Sequence, residues 1–216
     1  MLANGNIVTL TSNGGSTDVF VLKLGSDGVA QWAASFGGSG FDYGVSIALD
    51  PSGASYVTGY FYGSLEVRLA NGSTVTLPSN SGSQDIFVVK LDTAGGALWV
   101  RGFGGAGSDF GWGIAVDASG ASLVTGQFTG LMSVPLANGT TITLTSNSFS
   151  ADIFVLKLNT MGEALWARGF GGSYADNGYG IAVDAYGTSY TMGVGAVEGP
   201  AWTPLPFFAC DGVTPL

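Results

Sequence analysis

The sequence predicts an all-β fold assembled from copies of one unit, and three observations predict it. Matching segments recur at a fixed offset of 67 residues, shown by the runs DVFVLKL, DIFVVKL and DIFVLKL that open at Asp18, Asp85 and Asp152. Inside these runs the side chains alternate between two faces, with the period of two that is typical of a β-strand. The 37 glycines are dispersed, as turns and closely packed strands require.

The 67-residue period continues through the chain without an insertion. It also links three tryptophans, three aspartates, three glycines and three LANG turns: Trp32, Trp99 and Trp166; Asp50, Asp117 and Asp184; Gly59, Gly126 and Gly193; and the turns that begin at Leu2, Leu69 and Leu136. We therefore predict a repeat domain over residues 1–193, with repeats 2–68, 69–135 and 136–193. Residues 194–216 are rich in proline, which disfavours central strands, and are predicted to be an irregular tail.

Each complete unit is predicted to hold four strands and an additional ribbon. The first two strands are expected at 111–116 and 122–128, joined by a turn from Asp117 to Gly120. The third and fourth are expected at 85–91 and 97–103. A ribbon over 65–77 precedes the third strand and folds back at Asn71-Gly72, because Asn-Gly between apolar alternations is a strong hairpin signal.

Four antiparallel strands per repeat are the pattern of a β-propeller blade, and the ribbon accounts for the long period. A β-solenoid is the weaker alternative because it uses a much shorter repeat. The chain begins with strands three and four (18–36), continues with two complete sets (44–103 and 111–170), and ends with strands one and two (178–192). Three blades are fewer than the 4–8 of a closed ring. We therefore expect either a head-to-tail homodimer with six blades or a part of a longer array, and open strand edges predict self-association.

The pattern within the repeats resembles a known family. Asp, an apolar strand with Lys, a Gly turn, Trp, Gly-Gly, Asp-x-Gly, apolar-Asp-x-x-Gly and a strand ending in Thr-Gly recur over 18–59, 85–126 and 152–193. This is similar to the bacterial β-propeller repeat called SBBP, and the third copy departs from it at Asn177 and Met192. The resemblance implies an exported or cell-surface bacterial protein, and it carries over no catalytic residue.

Charge and composition exclude several classes of partner. The net charge of −9 and the lack of clustered Lys and Arg argue against nucleic acid. No apolar stretch is long enough to span a bilayer, so membrane insertion is not expected. The first residues lack the charged start and apolar core of a signal peptide.

The residue types also argue against catalysis. Histidine is absent, which removes Ser–His–Asp and Cys–His catalysis and most zinc sites. Cys210 stands alone without a basic neighbour and is predicted to be incidental. The acids recur once per repeat, which indicates a structural task rather than one catalytic pair. The chain is thus predicted not to be an enzyme, with polysaccharide hydrolysis by Asp42, Asp109 or Asp176 as the alternative.

Calcium is the one metal for which the sequence contains a candidate motif. The segments GGSGFD (37–42) and GGAGSD (104–109) match the start of a GGxGxD calcium nonapeptide, so Asp42 and Asp109 are candidate ligands. The motif is never in tandem, as calcium-binding stacks require, and the third copy breaks it. We therefore expect no cofactor and interpret these aspartates as caps of local backbone N–H groups.

Aromatic residues near the first strand of each set are the binding candidates. In a propeller they would lie near one rim of the central channel, where rings beside an acid can stack on sugars or hold a peptide. The candidates are Phe41, Asp42, Tyr43, Asp109, Phe110, Trp112, Tyr174, Asp176 and Tyr179. The predicted function is a binding or adhesion module for a protein or glycan, and the alternative is a purely structural spacer. The three in-phase tryptophans are predicted to be core. Lys23, Lys90 and Lys157 are predicted either to extend across a neighbouring blade or to pair with an in-phase aspartate.

Overall fold

The computed structural model describes residues 5, 7–14, 16–147 and 150–195, together with the backbone of 208–209. This part of the chain is all-β, as predicted, and includes a short 3-10 turn at Asn80–Gly82. The strands are β1 (Val19–Leu24), β2 (Ala30–Phe36), β3 (Asp42–Leu49), β4 (Ser55–Tyr62), β5 (Ser64–Arg68), β6 (Thr74–Pro78), β7 (Gln84–Leu91), β8 (Ala97–Gly105), β9 (Phe110–Val116), β10 (Ser122–Thr129), β11 (Leu131–Pro135), β12 (Thr141–Thr145), β13 (Ala151–Leu158), β14 (Ala164–Gly171), β15 (Asn177–Val183), β16 (Ser189–Val194) and β17 (Phe208–Ala209).

Two sets of four strands each form an antiparallel sheet. The sets are β3–β4–β7–β8 and β9–β10–β13–β14, and the pairs β1–β2 and β15–β16 lie before and after them along the chain. Equivalent strands start 67 residues apart, as Ser55 of β4 and Ser122 of β10 do. The strands predicted at 111–116 and 97–103 are observed with one and two extra residues, at Phe110–Val116 and Ala97–Gly105.

The ribbons β5–β6 and β11–β12 cover the outer edges of these sheets. Met132 of β11 pairs with Gly105 of β8, and the Gly37 N–H at the end of β2 donates to the Glu66 carbonyl at 3.2 Å. A Cβ at Gly105 would lie 1.6 Å from the Leu131 carbonyl oxygen, so only glycine permits this approach. The ribbon predicted over 65–77 is confirmed as β5 and β6, and it protects a strand edge that would otherwise stay open.

The core lies in layers between successive sheets. On β7 the side chains of Phe87, Val89 and Leu91 pack with residues of β1 and β2, whereas Ile86 and Val88 pack toward the following sheet. Both faces of the strand are therefore buried, which explains its almost unbroken apolar sequence. The Phe36 and Phe87 rings meet edge to face, with their centroids 5.8 Å apart.

Two of the in-phase tryptophans, Trp32 and Trp99, join neighbouring sheets through their indole nitrogens. Trp32 Nε1 donates to the Thr93 carbonyl at 2.9 Å, and Trp99 Nε1 donates to the Thr160 carbonyl at 3.0 Å. Trp99 is buried as predicted, but Trp32 and Trp166 are only half-buried. Trp32 lies on β2 of a two-stranded pair, and Trp166 lies on β14.

The predicted lysine–aspartate pairs are confirmed in the two complete sheets. Lys90 Nζ lies 3.2 Å from Asp50 Oδ2, and Lys157 Nζ lies 3.1 Å from Asp117 Oδ2. In the first unit Lys23 Nζ instead donates to the Thr93 carbonyl at 3.4 Å.

The predicted tail departs from irregular structure at two places. Val194 belongs to β16, and Phe208–Ala209 pairs with residues 170–171 on the outer edge of β14. Our predictions for the proline-rich segment and Cys210 otherwise lie outside the described residues. Among the described residues we find no helix with the length and apolarity needed to cross a membrane.

Candidate functional site

Aromatic rings from three successive sheets meet along one side of the protein. Strand β9 lies between β3 and β15, which brings the first strands of these units side by side. Tyr43 stacks on Tyr60 with ring centroids 4.9 Å apart, and Tyr60 contacts the edges of Phe110 at 4.8 Å and Trp112 at 5.7 Å. Phe110 and Trp112 are stacked with an interplanar angle of 7°, and Trp112 lies 6.4 Å from Tyr179.

Tyr43, Tyr60 and Phe110 of this cluster line an open cavity of about 400 Å³, which we call the aromatic cleft. Its rings remain accessible, with Phe41 57%, Tyr62 45% and Tyr43 40% exposed. Exposed aromatic rings gathered around a concave site make it a candidate ligand-binding surface. The cleft is lined by Phe41, Tyr43, Tyr60, Tyr62, Gln84 and Phe110.

Polar side chains hold the rings and line the cleft. Trp112 Nε1 donates to Gln127 Oε1 at 3.3 Å, which orients the indole, and Ser108 Oγ donates to Gln84 Oε1 at 2.8 Å. Burial raises the pKa of Tyr60, and the neighbouring Tyr43 raises it further. The Tyr60 phenol therefore stays neutral at physiological pH and keeps both its donor and its acceptor.

The structure brings together most, but not all, of the predicted aromatic residues. Tyr43, Phe110, Trp112 and Tyr179 form the ring contacts, and Phe41 lies on the wall of the cleft. Tyr174 lies in the loop before β15, is 59% exposed, and makes none of the ring contacts found among the described residues.

Sequence analysis missed Tyr60, Tyr62 and Gln84. Tyr60 faces Tyr43 directly because β3 and β4 pair in that register. The alternation of Tyr60 and Tyr62 around the buried Phe61 was the available signal, since it places both tyrosines on the face opposite the core.

The predicted acidic residues do not line the cleft. Asp42 and Asp109 are fully buried and Asp176 is 7% exposed. Each accepts a hydrogen bond at 2.7 Å from the backbone N–H four residues earlier, on Gly38, Gly105 and Gly172. Sequence analysis placed these three carboxylates beside a ligand, and this prediction is wrong. They point into the protein and hold the glycine-rich loops by hydrogen bonds to backbone N–H groups.

Burial makes the protons of the Asp42, Asp85 and Asp109 carboxyl groups hard to remove, because it raises the pKa of each. It raises the pKa of Asp42 from its ordinary value of 3.8 to about 7, against the lowering effect of the Gly38 N–H and with a further rise from Asp18. Burial likewise raises the pKa of Asp109 to about 7 and that of Asp85 to about 6. Asp85 adds to the rise at Asp109, since a nearby like charge disfavours ionisation.

The two calcium candidates, Asp42 and Asp109, lie inside the protein. Within the described ranges, no group of three or more His, Cys, Asp and Glu side chains is arranged to hold an ion. Calcium takes six to eight oxygen ligands, and the Asp42 and Asp109 carboxylates are already engaged by backbone N–H groups.

Comparison with known proteins adds one distant relative. The chain is 26% identical to an uncharacterized WD repeat-containing protein of Acanthamoeba polyphaga mimivirus. The match covers 69% of this chain and 12% of the relative, so the chain spans only a small part of the relative's length. No known protein-family model matches the chain. The antiparallel sheets and this WD-repeat relative together fit a propeller-type fold.

Proposed function

We propose that the chain is a non-enzymatic β-propeller repeat module that binds a neutral carbohydrate in the aromatic cleft. The observation that carries the proposal is the convergence of rings from β3, β4 and β9 on one open cavity. Repeating sheets bring these rings together, and a scaffold of stacked sheets holds them in fixed positions.

Carbohydrate fits the chemistry of the cleft. The C–H faces of a sugar ring pack on aromatic faces such as Tyr43 and Phe41, and the sugar hydroxyls need polar partners beside those faces. The Gln84 amide and the phenols of Tyr60 and Tyr62 supply such groups. A cavity of about 400 Å³ lies within the range of small-molecule sites, about 300–1,000 Å³. The net charge of −9 disfavours an anionic polysaccharide.

The blade arrangement is part of the proposal. The four-stranded antiparallel sheets, their layered packing and the WD-repeat relative all support a propeller. The resemblance to SBBP repeats supports a location outside the bacterial cell, where neutral glycans are accessible.

The absence of an enzymatic activity is also proposed. The chain has no histidine, and the carboxylates of Asp42 and Asp109 accept hydrogen bonds from backbone N–H groups inside the protein. Glycoside hydrolysis needs two carboxyl groups that reach the same glycosidic bond. Incubation with the bound glycan should release no reducing ends, and release that Asp42→Asn abolishes would contradict this part of the proposal.

A glycan array probed with the purified chain tests the binding function. We expect signal on neutral oligosaccharides and a loss of at least about tenfold in affinity for Tyr43→Ala, because the variant removes a stacking face of the cleft. Tyr186→Ala is the matched control, since Tyr186 is 95% exposed in the turn after β15. An array without glycan signal, or equal binding by the two variants, would overturn the proposal.

A further inference from the structure

The two-stranded pairs carry complementary strand edges. In the complete sheets the second strand pairs with the third: β4 with β7, and β10 with β13. The chain also has a second-type strand, β16, and a third-type strand, β1, which pair only with β15 and β2 among the described residues. Each therefore presents a row of backbone N–H and C=O groups to which a further strand can bind.

Several side chains on these strands are exposed where their in-phase counterparts are buried. Phe20 is 69%, Leu22 47% and Leu24 53% exposed, whereas Phe87 and Leu156 in equivalent positions are fully buried. On β16, Tyr190 is 63% and Met192 67% exposed, whereas Leu123 and Thr125 in equivalent positions are fully buried. Buried positions of the complete sheets thus become apolar surface on both pairs.

We propose that a second copy of this chain covers this surface, with β16 of one copy pairing antiparallel with β1 of the other. The register follows from the complete sheets. Val57 pairs with Val89 and Val124 pairs with Leu156, so the repeat offset sets Thr191 opposite Leu22 of the second copy. The joined strands would complete a four-stranded sheet of the same type as the two that the chain already contains.

Charge complementarity favours a second copy over an unrelated strand. In the complete sheets an aspartate after the first strand binds the lysine of the third, as Asp50–Lys90 and Asp117–Lys157 do. Asp184 and Lys23 are the matching residues of the incomplete pairs. Lys23 lies on β1 and Asp184 directly follows β15, so in the joined sheet one copy supplies the acid and the other supplies the base.

The faces of the pairs are complementary as well. Val19 and Val21 of β1 already pack on the β3–β4–β7–β8 sheet, while Phe20, Leu22 and Leu24 are left open on the opposite face. After pairing, this open face continues the face of β15–β16 that packs on the β9–β10–β13–β14 sheet. A head-to-tail pair of chains in which both joints form would contain six four-stranded sheets.

Light scattering on the purified full-length chain over a dilution series tests the proposal. We expect a discrete species of twice the 21.8 kDa chain mass. Phe20→Asp should weaken the dimer at least tenfold, because it places an acid in the apolar joint. Met161→Asp, at a position 59% exposed on the turn after β13, should leave the dimer intact. A monomer at every concentration, or equal effects of the two variants, would overturn the proposal.

Disulfide trapping tests the register independently. In a Cys210→Ser background, mixing Leu22→Cys chains with Thr191→Cys chains should yield a heterodimeric disulfide, whereas neither variant alone should cross-link. Phe20→Cys mixed with Thr191→Cys is the control that is two residues out of register, and it should cross-link more slowly. Faster trapping of the shifted pair would contradict the proposed pairing.

Discussion

Replacing Asp42 by asparagine should remove a defined part of the pH dependence of stability. Asp42 is fully buried, Gly38 N–H donates to its Oδ2, and its Oδ1 has no hydrogen-bond partner in the structure. Asparagine keeps an acceptor for Gly38 and cannot ionise. The substitution therefore isolates the cost of placing a charge at this position.

The sign and size of the effect follow from the raised pKa. The unfolded chain releases the Asp42 proton near pH 4, whereas the folded chain holds it up to about pH 7. Between these values the folded state binds more protons, so the free energy of unfolding falls as the pH rises. With about 1.4 kcal/mol for each pH unit and some relaxation around the charge, the loss is on the order of 2–4 kcal/mol.

Urea unfolding of the wild type and Asp42→Asn at pH 5 and pH 8 measures the difference. We expect the variant to lose less stability than the wild type over this interval and to be the more stable protein at pH 8. Asp27→Asn, which changes an exposed acid on the turn after β1, should keep the wild-type slope. Equal slopes for the wild type and Asp42→Asn would show that the folded chain does not hold the Asp42 proton more tightly than the unfolded chain does.

Three further predictions concern the core, an ion pair and calcium. Phe87→Ala, which empties a fully buried position, should cost about 3–5 kcal/mol in urea unfolding, whereas Tyr186→Ala at a 95% exposed position should cost under about 0.5 kcal/mol. Lys157→Met should lower the free energy of unfolding by about 1–2 kcal/mol, because it leaves Asp117 without its ion pair. The double variant with Asp117→Asn should recover part of that loss in a double-mutant cycle. Calcium added after chelation should leave Tm unchanged in calorimetry, and a reproducible rise would contradict our interpretation of the glycine-rich loops.

Much of the strand arrangement could be predicted because the same strand and turn patterns recur at the 67-residue offset. Each strand was therefore indicated by more than one segment of the chain, and turn residues such as Asn71-Gly72 marked where strands end. The run Asp85–Leu91 predicted a strand from its period of two, but it did not predict that both faces of the strand are buried or which sheet covers each face. That assignment depends on how sheets stack, which only the three-dimensional arrangement defines.

The candidate site was only partly predictable, for two physical reasons. The pairing of Tyr43 with Tyr60 depends on a register shift between Gly44 and Ser46, a bulge that sequence periodicity does not reveal. Acids such as Asp42 are adjacent in sequence to the aromatic residues, and the sequence therefore predicted that they share one surface. They turn inward because each satisfies a backbone N–H in its glycine-rich loop, and a carboxylate so engaged is not available to a ligand.

Carbohydrate binding in the aromatic cleft is tested most directly by a calorimetric titration of the chain with the neutral oligosaccharide that gives the strongest array signal. We expect a saturable isotherm for the wild type, an unchanged isotherm for Tyr186→Ala, and an affinity at least about tenfold lower for Tyr43→Ala and Phe110→Ala. Binding that survives both cleft substitutions would contradict the proposed site, because the ligand would then occupy another surface.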